Sequence, residues 1–432
     1  MDRVFIDVSD ILFYALRNSR ITGIQRVEIS ILQFMIEHEI EYSLVNAFDI
    51  DPSRLDSIIR ENIGSTDALL AALGHECQHL YSHKPIHKIR NFLSGLSNKV
   101  FGEREGHLAD MQAGDMLFIP GAFWLATEIM RFHAAAAAKG IKLVVFIYDV
   151  LPVTHPHLMV KDSDIFFGSI LKLPIHVITD SRSTESDLPQ AAKMLAGAIM
   201  PKSIEVVPLA HEFPGVARNQ LPQGSSERLK SMIGARSFVL YVGTVEIRKN
   251  HLQLMKVWTK LAAELGDALP LLVIAGKKGW EAEEVIGLLD AANERHKQTG
   301  REPVVLVEGP TDLELRWLYA SCDFTVFPSL AEGWGLPVGE SLWFGKACAA
   351  SQATSIPEVG GDLCLYFDPE NPSEIEAAIR HLLDPDVRAE WERKIRSAPL
   401  RTWQDAARDI AIAVVGHLPE KQPASARHSA NP

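Results

Sequence analysis

Residues 327–351 read FPSLAEGWGLPVGESLWFGKACAAS. The apolar run Phe324–Phe327 leading into this stretch has strand character and stops at Pro328. Gly333 and Gly335 then flank Trp334 in a loop, and Pro337 falls where the first turn of a helix tolerates proline. Gly345 ends that helix. The spacing predicts a strand, a glycine loop and a short helix, the unit from which parallel α/β sheets are wound. Ligands of such sheets gather at the strand's carboxyl end, where the free N–H groups of the helix start favour an anion. Glu332 in the loop and Glu340 in the first turns of the helix add two carboxylates there. A phosphate would use the N–H groups while the carboxylates accept from sugar hydroxyls, which suits a nucleotide-sugar. A helix start with acids placed for its dipole accounts for the same spacing.

The rhythm extends upstream. SFVLYVG (237–243), LPLLVIAG (269–276), PVVLVEGP (303–310) and DFTVFPS (323–329) are strands separated by helical patterns, which makes a doubly wound sheet. After the first of them come Gly243-Thr244 and Arg248-Lys249. A small turn admits a diphosphate close to the backbone, and two cations neutralise charge on a leaving group. A solvent-facing turn with two surface cations is the plain alternative.

EGWGLPVGE (332–340) resembles the Glu-x7-Glu signature of the family 4 retaining glycosyltransferases, EGFGLPxxE, with Trp334 in place of the common Phe. GTVEIRKN (243–250) resembles that family's G-x-x-x-x-R-K-(N/G) phosphate site. The resemblance covers nearly all of residues 237–417 and is looser over 1–210. It implies the GT-B architecture, an α/β fold of two facing Rossmann-like doubly wound domains, and sugar transfer with retention, without metal or cofactor. By the same resemblance Arg248 and Lys249 would hold the diphosphate, Glu332 the donor sugar's hydroxyls and Glu340 the ribose hydroxyls. Gly243, Thr244, Gly333, Trp334, Gly335 and Leu336 would line the donor, and Gly309 and Thr311 would lie at the base.

The N-terminal half opens on a strand, Val4–Val8, followed by TGIQRVEISILQ (22–33), where Thr22 can cap a helix and Gly23 can bend the chain. Related glycosyltransferases carry a Gly-Ile-x-Arg stretch here, which assigns Gly23 and Arg26 to the acceptor side. Strand-like runs return at Met116–Ile119, Leu143–Ile147 and His176–Ile178. YDVLPVTHPH (148–157) follows the second of these. The family has a His-Asp or Tyr-Asp turn at this place, so Asp149 joins Glu332, Arg248 and Lys249 as a catalytic candidate and His155 falls on the acceptor side. Asp149 as a simple cap of the next turn explains the same residue. The division expected is an acceptor-side domain over 1–210, a linker over 211–236, a nucleotide-sugar domain over 237–400, a helix over 401–418 crossing back to the first domain, and a disordered low-complexity tail over 419–432.

The 432 residues suffice for two full cores, and a net charge of −12 argues against a general nucleic-acid binder. Cys77, Cys322, Cys348 and Cys364 show no metal or redox spacing, so free thiols in a reducing compartment are expected. With no signal peptide in MDRVFIDVSD, a cytoplasmic protein is expected. Between residues 84 and 104, Lys84, Lys88, Arg90, Lys99 and Arg104 interleave with apolar residues, a pattern that serves peripheral contact with anionic lipid or a plain solvated helix face. The function expected is a hexosyltransferase of bacterial surface polysaccharide, mannose-type and GDP-linked by preference, with a glycan or polyprenyl-diphosphate-linked glycan as acceptor. Two other classes compete: a nucleotide-sugar binder without turnover, and a zinc hydrolase built on His75-Glu76-x-x-His79, which fits H-E-x-x-H.

Overall fold

In the computed structural model the chain is described over residues 3–18, 20–81, 106–160, 164, 167–218, 224, 226–279, 282–296, 302–416 and 418. The basic segment 84–104 and the tail 419–432 lie outside the described residues. Twelve strands among those described form two six-stranded sheets, every pairing parallel. The first contains β1 (Val4–Asp7), β2 (Ser43–Val45), β3 (Met116–Ile119), β4 (Lys142–Ile147), β5 (Ile175–Thr179) and β6 (Ser203–Val206) in the order 2-1-3-4-5-6. The second contains β7 (Phe238–Val242), β8 (Leu271–Gly276), β9 (Val304–Glu308), β10 (Thr325–Phe327), β11 (Cys348–Ser351) and β12 (Leu365–Phe367) in the order 12-11-10-7-8-9.

Helices cover both faces, which is why KLVVFI of β4 and LLVIAG of β8 are apolar almost throughout instead of alternating. Each strand order reverses once, beside β1 in the first sheet and between β7 and β10 in the second. Those reversals open the crevices at which doubly wound sheets hold ligands. The register Ala349↔Leu365 also sets Cys348 beside Cys364, an adjacency that their sequence spacing does not reveal.

The described residues of the stretch 211–236 are docked at both ends. Trp343 Nε1 donates to the Val216 carbonyl at 2.9 Å, and Arg218 holds the carbonyls of Ile395 and Ala398 at 2.5 and 2.7 Å. Residues 227–233 form a helix capped by Ser226, whose hydroxyl also donates to Glu314 at 2.8 Å. The helix Trp403–Val415 packs against the helix Gly23–Glu37 of the first domain, with Gln404 donating to Glu37 at 3.1 Å.

Within the first domain, the crevice beside β1 contains a sealed pair of acids. Asp10 (4% exposed) lies past the end of β1, and Glu28 (0%) projects from the helix Gly23–Glu37. Gln25 donates to Asp10 Oδ2 at 2.9 Å, whereas Asp10 Oδ1 and both Glu28 oxygens find no other donor. Burial lifts the Asp10 carboxyl to about 6, with the Ala122 N–H and Gln25 opposing it. Burial, and then the charges of Asp10 and Asp7, push Glu28 well above the usual carboxylate range, so Glu28 keeps its proton and donates it to Asp10. Asp7 itself is tied to His133 Nε2 at 2.6 Å, and Tyr14 and Tyr148 are further titratable neighbours. Both acids bind protons more tightly folded than unfolded, so their contribution to stability is full at low pH. For Asp10 it declines as pH rises from about 4 to about 6, and for Glu28 the decline extends higher. Glu28→Gln retains a donor to Asp10 and removes the ionisation. The variant is expected to melt above the wild type at pH 8 and to lose that advantage by pH 5. A difference in melting temperature that does not vary with pH would contradict the assignment.

Candidate functional site

The site is built where β7 and β10 lie side by side. Past β7 the chain turns through Gly243 and Thr244, and two glycines, one ending β8 and one just beyond it, let it do so. A Cβ on Gly276 would stand 1.9 Å from the Gly243 carbonyl oxygen, and one on Gly279 would stand 2.8 Å from both the Thr244 methyl and the Val245 oxygen. The next turn, Ile247–Lys249, ends at Asn250 with φ 57°, a left-handed conformation that asparagine tolerates. Its buried amide donates to the carbonyls of Pro328 and Pro369 at 3.0 and 2.9 Å, which ties this turn to the end of β10. Leu330 N–H closes the join on the Arg248 carbonyl at 2.8 Å.

Glu332 is thereby brought to both cations. Arg248 Nη1 donates to Oε2 and Lys249 Nζ to Oε1, each at 2.5 Å, and all three side chains are buried to below 18% exposure. The loop is fixed from behind: Thr354 Oγ1 accepts from Glu332 N–H at 2.8 Å and donates to its carbonyl at 3.0 Å. Ser355 donates to the carbonyls of Glu332 and Trp334. Burial would raise the Glu332 carboxyl, but Arg248 and Lys249 outweigh it and hold it at about 2. Burial likewise works against the Arg248 charge, and Glu332, Glu246 and Asp149 overcome it. Glu332 is therefore a permanent anion, able to accept hydrogen bonds and unable to supply a proton near neutrality.

Asp149 comes to this cluster from the first domain. Its Oδ1 accepts from Leu151 N–H at 3.0 Å, so it does cap the next turn, and it also lies in the field of Arg248. Burial raises its carboxyl and Arg248 opposes that. The two domains touch here at the backbone: a Cβ on Gly333 would meet the Tyr148 carbonyl oxygen at 2.4 Å. Gly335, at φ 105°, then opens the helix Leu336–Trp343, and Trp334 is 5% exposed.

Glu340, one turn into that helix, is 6% exposed. Tyr319 donates to its Oε2 at 2.9 Å and Arg26, from the first domain, to its Oε1 at 2.7 Å. Beside this pair a Cβ on Gly23 would touch Leu336 at 3.0 Å, so Gly23 and Arg26 both face the second domain. Gly309, at φ 57°, and Thr311 follow β9. The Thr311 hydroxyl is engaged in a capping box with Glu314. Arg20 reaches from the first domain to the carbonyls of Gly309 and Pro310 at 2.7 and 3.0 Å. A further interdomain contact sets Glu358 on the N–H groups of Arg182 and Ser183, at 2.8 Å each, where a helix of the first domain starts.

His155 stands apart from this cluster. Its Nδ1 meets the Thr154 hydroxyl at 2.9 Å, and its ring lies 6.2 Å from that of His157. In the H-E-x-x-H stretch, His75 is exposed, Glu76 pairs with Arg54 at 2.6 Å and Cys77 is buried in the core. The side chain of His79 lies outside the described residues, and among those described no group of His, Cys, Asp and Glu is placed to hold a metal ion. Gly276, Gly279, Thr354, Ser355, Tyr319 and Arg20 escaped the sequence reading. Only the glycines, placed as GKKG after a strand, carried a local signal.

Residues 236–385 match the sequence family described as Glycosyl transferases group 1. The chain is similar to the O-antigen chain mannosyltransferase B of Escherichia coli, 33% identical over 171 residues, which is 38% of this chain and 43% of that protein. The serotype-specific mannosyltransferase WbdA of Escherichia coli is 30% identical over 167 residues, 38% of this chain and 20% of its own length. The chain thus spans less than half the length of these curated relatives. Among solved structures, the Escherichia coli trehalose-6-phosphate structure bound with UDP-2-fluoro glucose aligns over 96% of this chain and 99% of its own, with TM-score 0.60 at 12% identity. A glycosyltransferase from Rickettsia africae aligns over 96% and 98%, with TM-score 0.58 at 13% identity. The fold, as expected from the sequence, is GT-B.

Two glycines separate the local and interdomain parts of this geometry. Gly276→Ala drives a methyl into backbone of its own sheet, and a loss of about 1–3 kcal/mol in urea unfolding is expected. Gly333→Ala is opposed only by the facing domain. It is expected to enlarge the radius of gyration in solution scattering, with wild-type circular dichroism. An unchanged radius would mean that the domains do not hold this contact in solution.

Proposed function

We propose that this chain, a GT-B protein carrying a group 1 glycosyltransferase segment, moves a mannose-type hexose from a nucleoside-diphosphate sugar, GDP-linked by preference, to a glycan or lipid-linked glycan acceptor. The product is bacterial surface polysaccharide. The observation that carries the reading is the convergence of Arg248, Lys249 and Glu332 between the carboxyl ends of β7 and β10. The similarity to mannosyltransferases supports the sugar, although it extends over 38% of the chain.

In this reading Arg248 and Lys249 turn from Glu332 to the diphosphate and stabilise its charge as the sugar departs, a task that elsewhere falls to a divalent cation. Glu332, released but still ionised, accepts hydrogen bonds from the sugar's hydroxyls. Glu340 takes the ribose, and backbone N–H groups from Gly333 to Leu336 line the donor with Gly243 and Thr244. Asp149 closes the sugar site from the acceptor domain, and the tight Gly333–Tyr148 contact excludes the water that would hydrolyse the donor. Transfer proceeds with retention and without metal, and the acceptor enters along the first domain. The described residues hold no helix long and apolar enough to cross a membrane. A lipid-linked acceptor would be met by peripheral contact at the inner face of the membrane.

Thermal shifts with GDP, UDP, ADP, dTDP and their sugars, all in EDTA, test this. A ligand at a hundred times its dissociation constant adds about 2.7 kcal/mol, a clear rise in melting temperature. Stabilisation by one nucleotide class is expected, and none by any of them would refute the reading. Glu332→Gln and Lys249→Ala are each expected to lower transfer by about 10²–10³-fold at unchanged circular dichroism. Wild-type turnover in either would remove that residue from the mechanism.

A further inference from the structure

Two arginines of the first domain occupy the groups that the proposed donor needs. Arg26 holds Glu340 Oε1 while Tyr319 holds Oε2, and at 6% exposure the carboxylate has no open side for a ribose diol. Six residues earlier Arg20 takes the carbonyls of both Gly309 and Pro310, the turn at which the base would lie. Among the described residues the buried Arg26 Nε has no partner, so the guanidinium is not fully satisfied where it lies. Burial raises the Glu340 carboxyl and Arg26 opposes it, so this guanidinium serves as its counter-charge.

We propose that residues 20–26 form a gate over the nucleoside site. Arg20 and Arg26 stand in for the hydrogen-bond donors of base and ribose, and a nucleotide enters only when they withdraw. The gate rests on the donor-site reading above and adds to it a direction. These arginines oppose nucleotide binding, whereas Arg248 and Lys249 favour it. The segment is placed to act as a unit: Tyr14 fixes the Arg20 carbonyl at 2.7 Å, and Gly23 abuts Leu336 between the two arginines. Because the gate spans both domains, opening it separates them locally at the donor end of the cleft.

A site available only in the open fraction of molecules binds with an apparent affinity reduced by that fraction. Calorimetric and stopped-flow binding of GDP and UDP in EDTA, to wild type, Arg26→Ala and Arg20→Ala, tests the gate. Arg26→Ala is expected to bind the preferred nucleotide about tenfold more tightly and with faster association, while melting lower when empty. Arg20→Ala is expected to shift affinity in the same direction by less. Nucleotide binding by the wild type with equal or weaker binding by Arg26→Ala would overturn the gate and leave the donor site standing. Binding of neither nucleotide by the wild type would overturn both. Should Arg26→Ala fail to fold, Arg20→Ala decides alone, since that side chain is exposed, and unchanged or weaker binding there rejects the gate.

Discussion

One carboxylate gripped by two cations sets the terms for the second domain. Glu332 comes from the loop after β10, and Arg248 and Lys249 come from the turn after β7. None of the three charges is well solvated, and a buried charge without its partners would cost several kcal/mol. The two strand ends must therefore meet with little tolerance. The neighbouring features serve that meeting: the bare backbone at Gly276 and Gly279, the left-handed Asn250 with its two carbonyls, and the Thr354 and Ser355 hydroxyls behind the loop. The same demand falls at the reversal of strand order, where a parallel sheet leaves its crevice open.

The site's two carboxylates are each neutralised by residues of the chain itself. Glu332 is paid in full by the second domain, while Glu340 depends on Arg26 from the first. Donor recognition and domain arrangement are consequently one system. The N-terminal domain also carries an acid pair, Asp10 on the helix Ser9–Ala15 after β1 and Glu28 on the helix that bears Arg26. Gln25 connects Asp10 to the start of that helix.

The architecture was readable in the sequence because parallel strands covered on both faces leave continuous apolar runs. SFVLYVG, LPLLVIAG and PVVLVEGP became β7, β8 and β9. The short strand β2, with three residues, and the alternating β6 have too little apolar surface to stand out. The loop Glu332–Gly335 and the Arg248–Lys249 turn were legible because glycine, proline and paired charge mark them locally. Thr354, Tyr319 and Arg20 were not, since each acts through a partner 21 to 289 residues away and has no local signature. Arg26 was read as facing the acceptor, and only the tertiary structure sets it on Glu340.

The central claim is that a nucleoside diphosphate binds between the ends of β7 and β10. Hydrogen–deuterium exchange with and without the stabilising nucleotide tests it directly. Slower exchange at residues 243–245 and 333–336 is expected on binding, together with faster exchange over 20–26. Protection confined to other parts of the chain, with these amides unchanged, would contradict it.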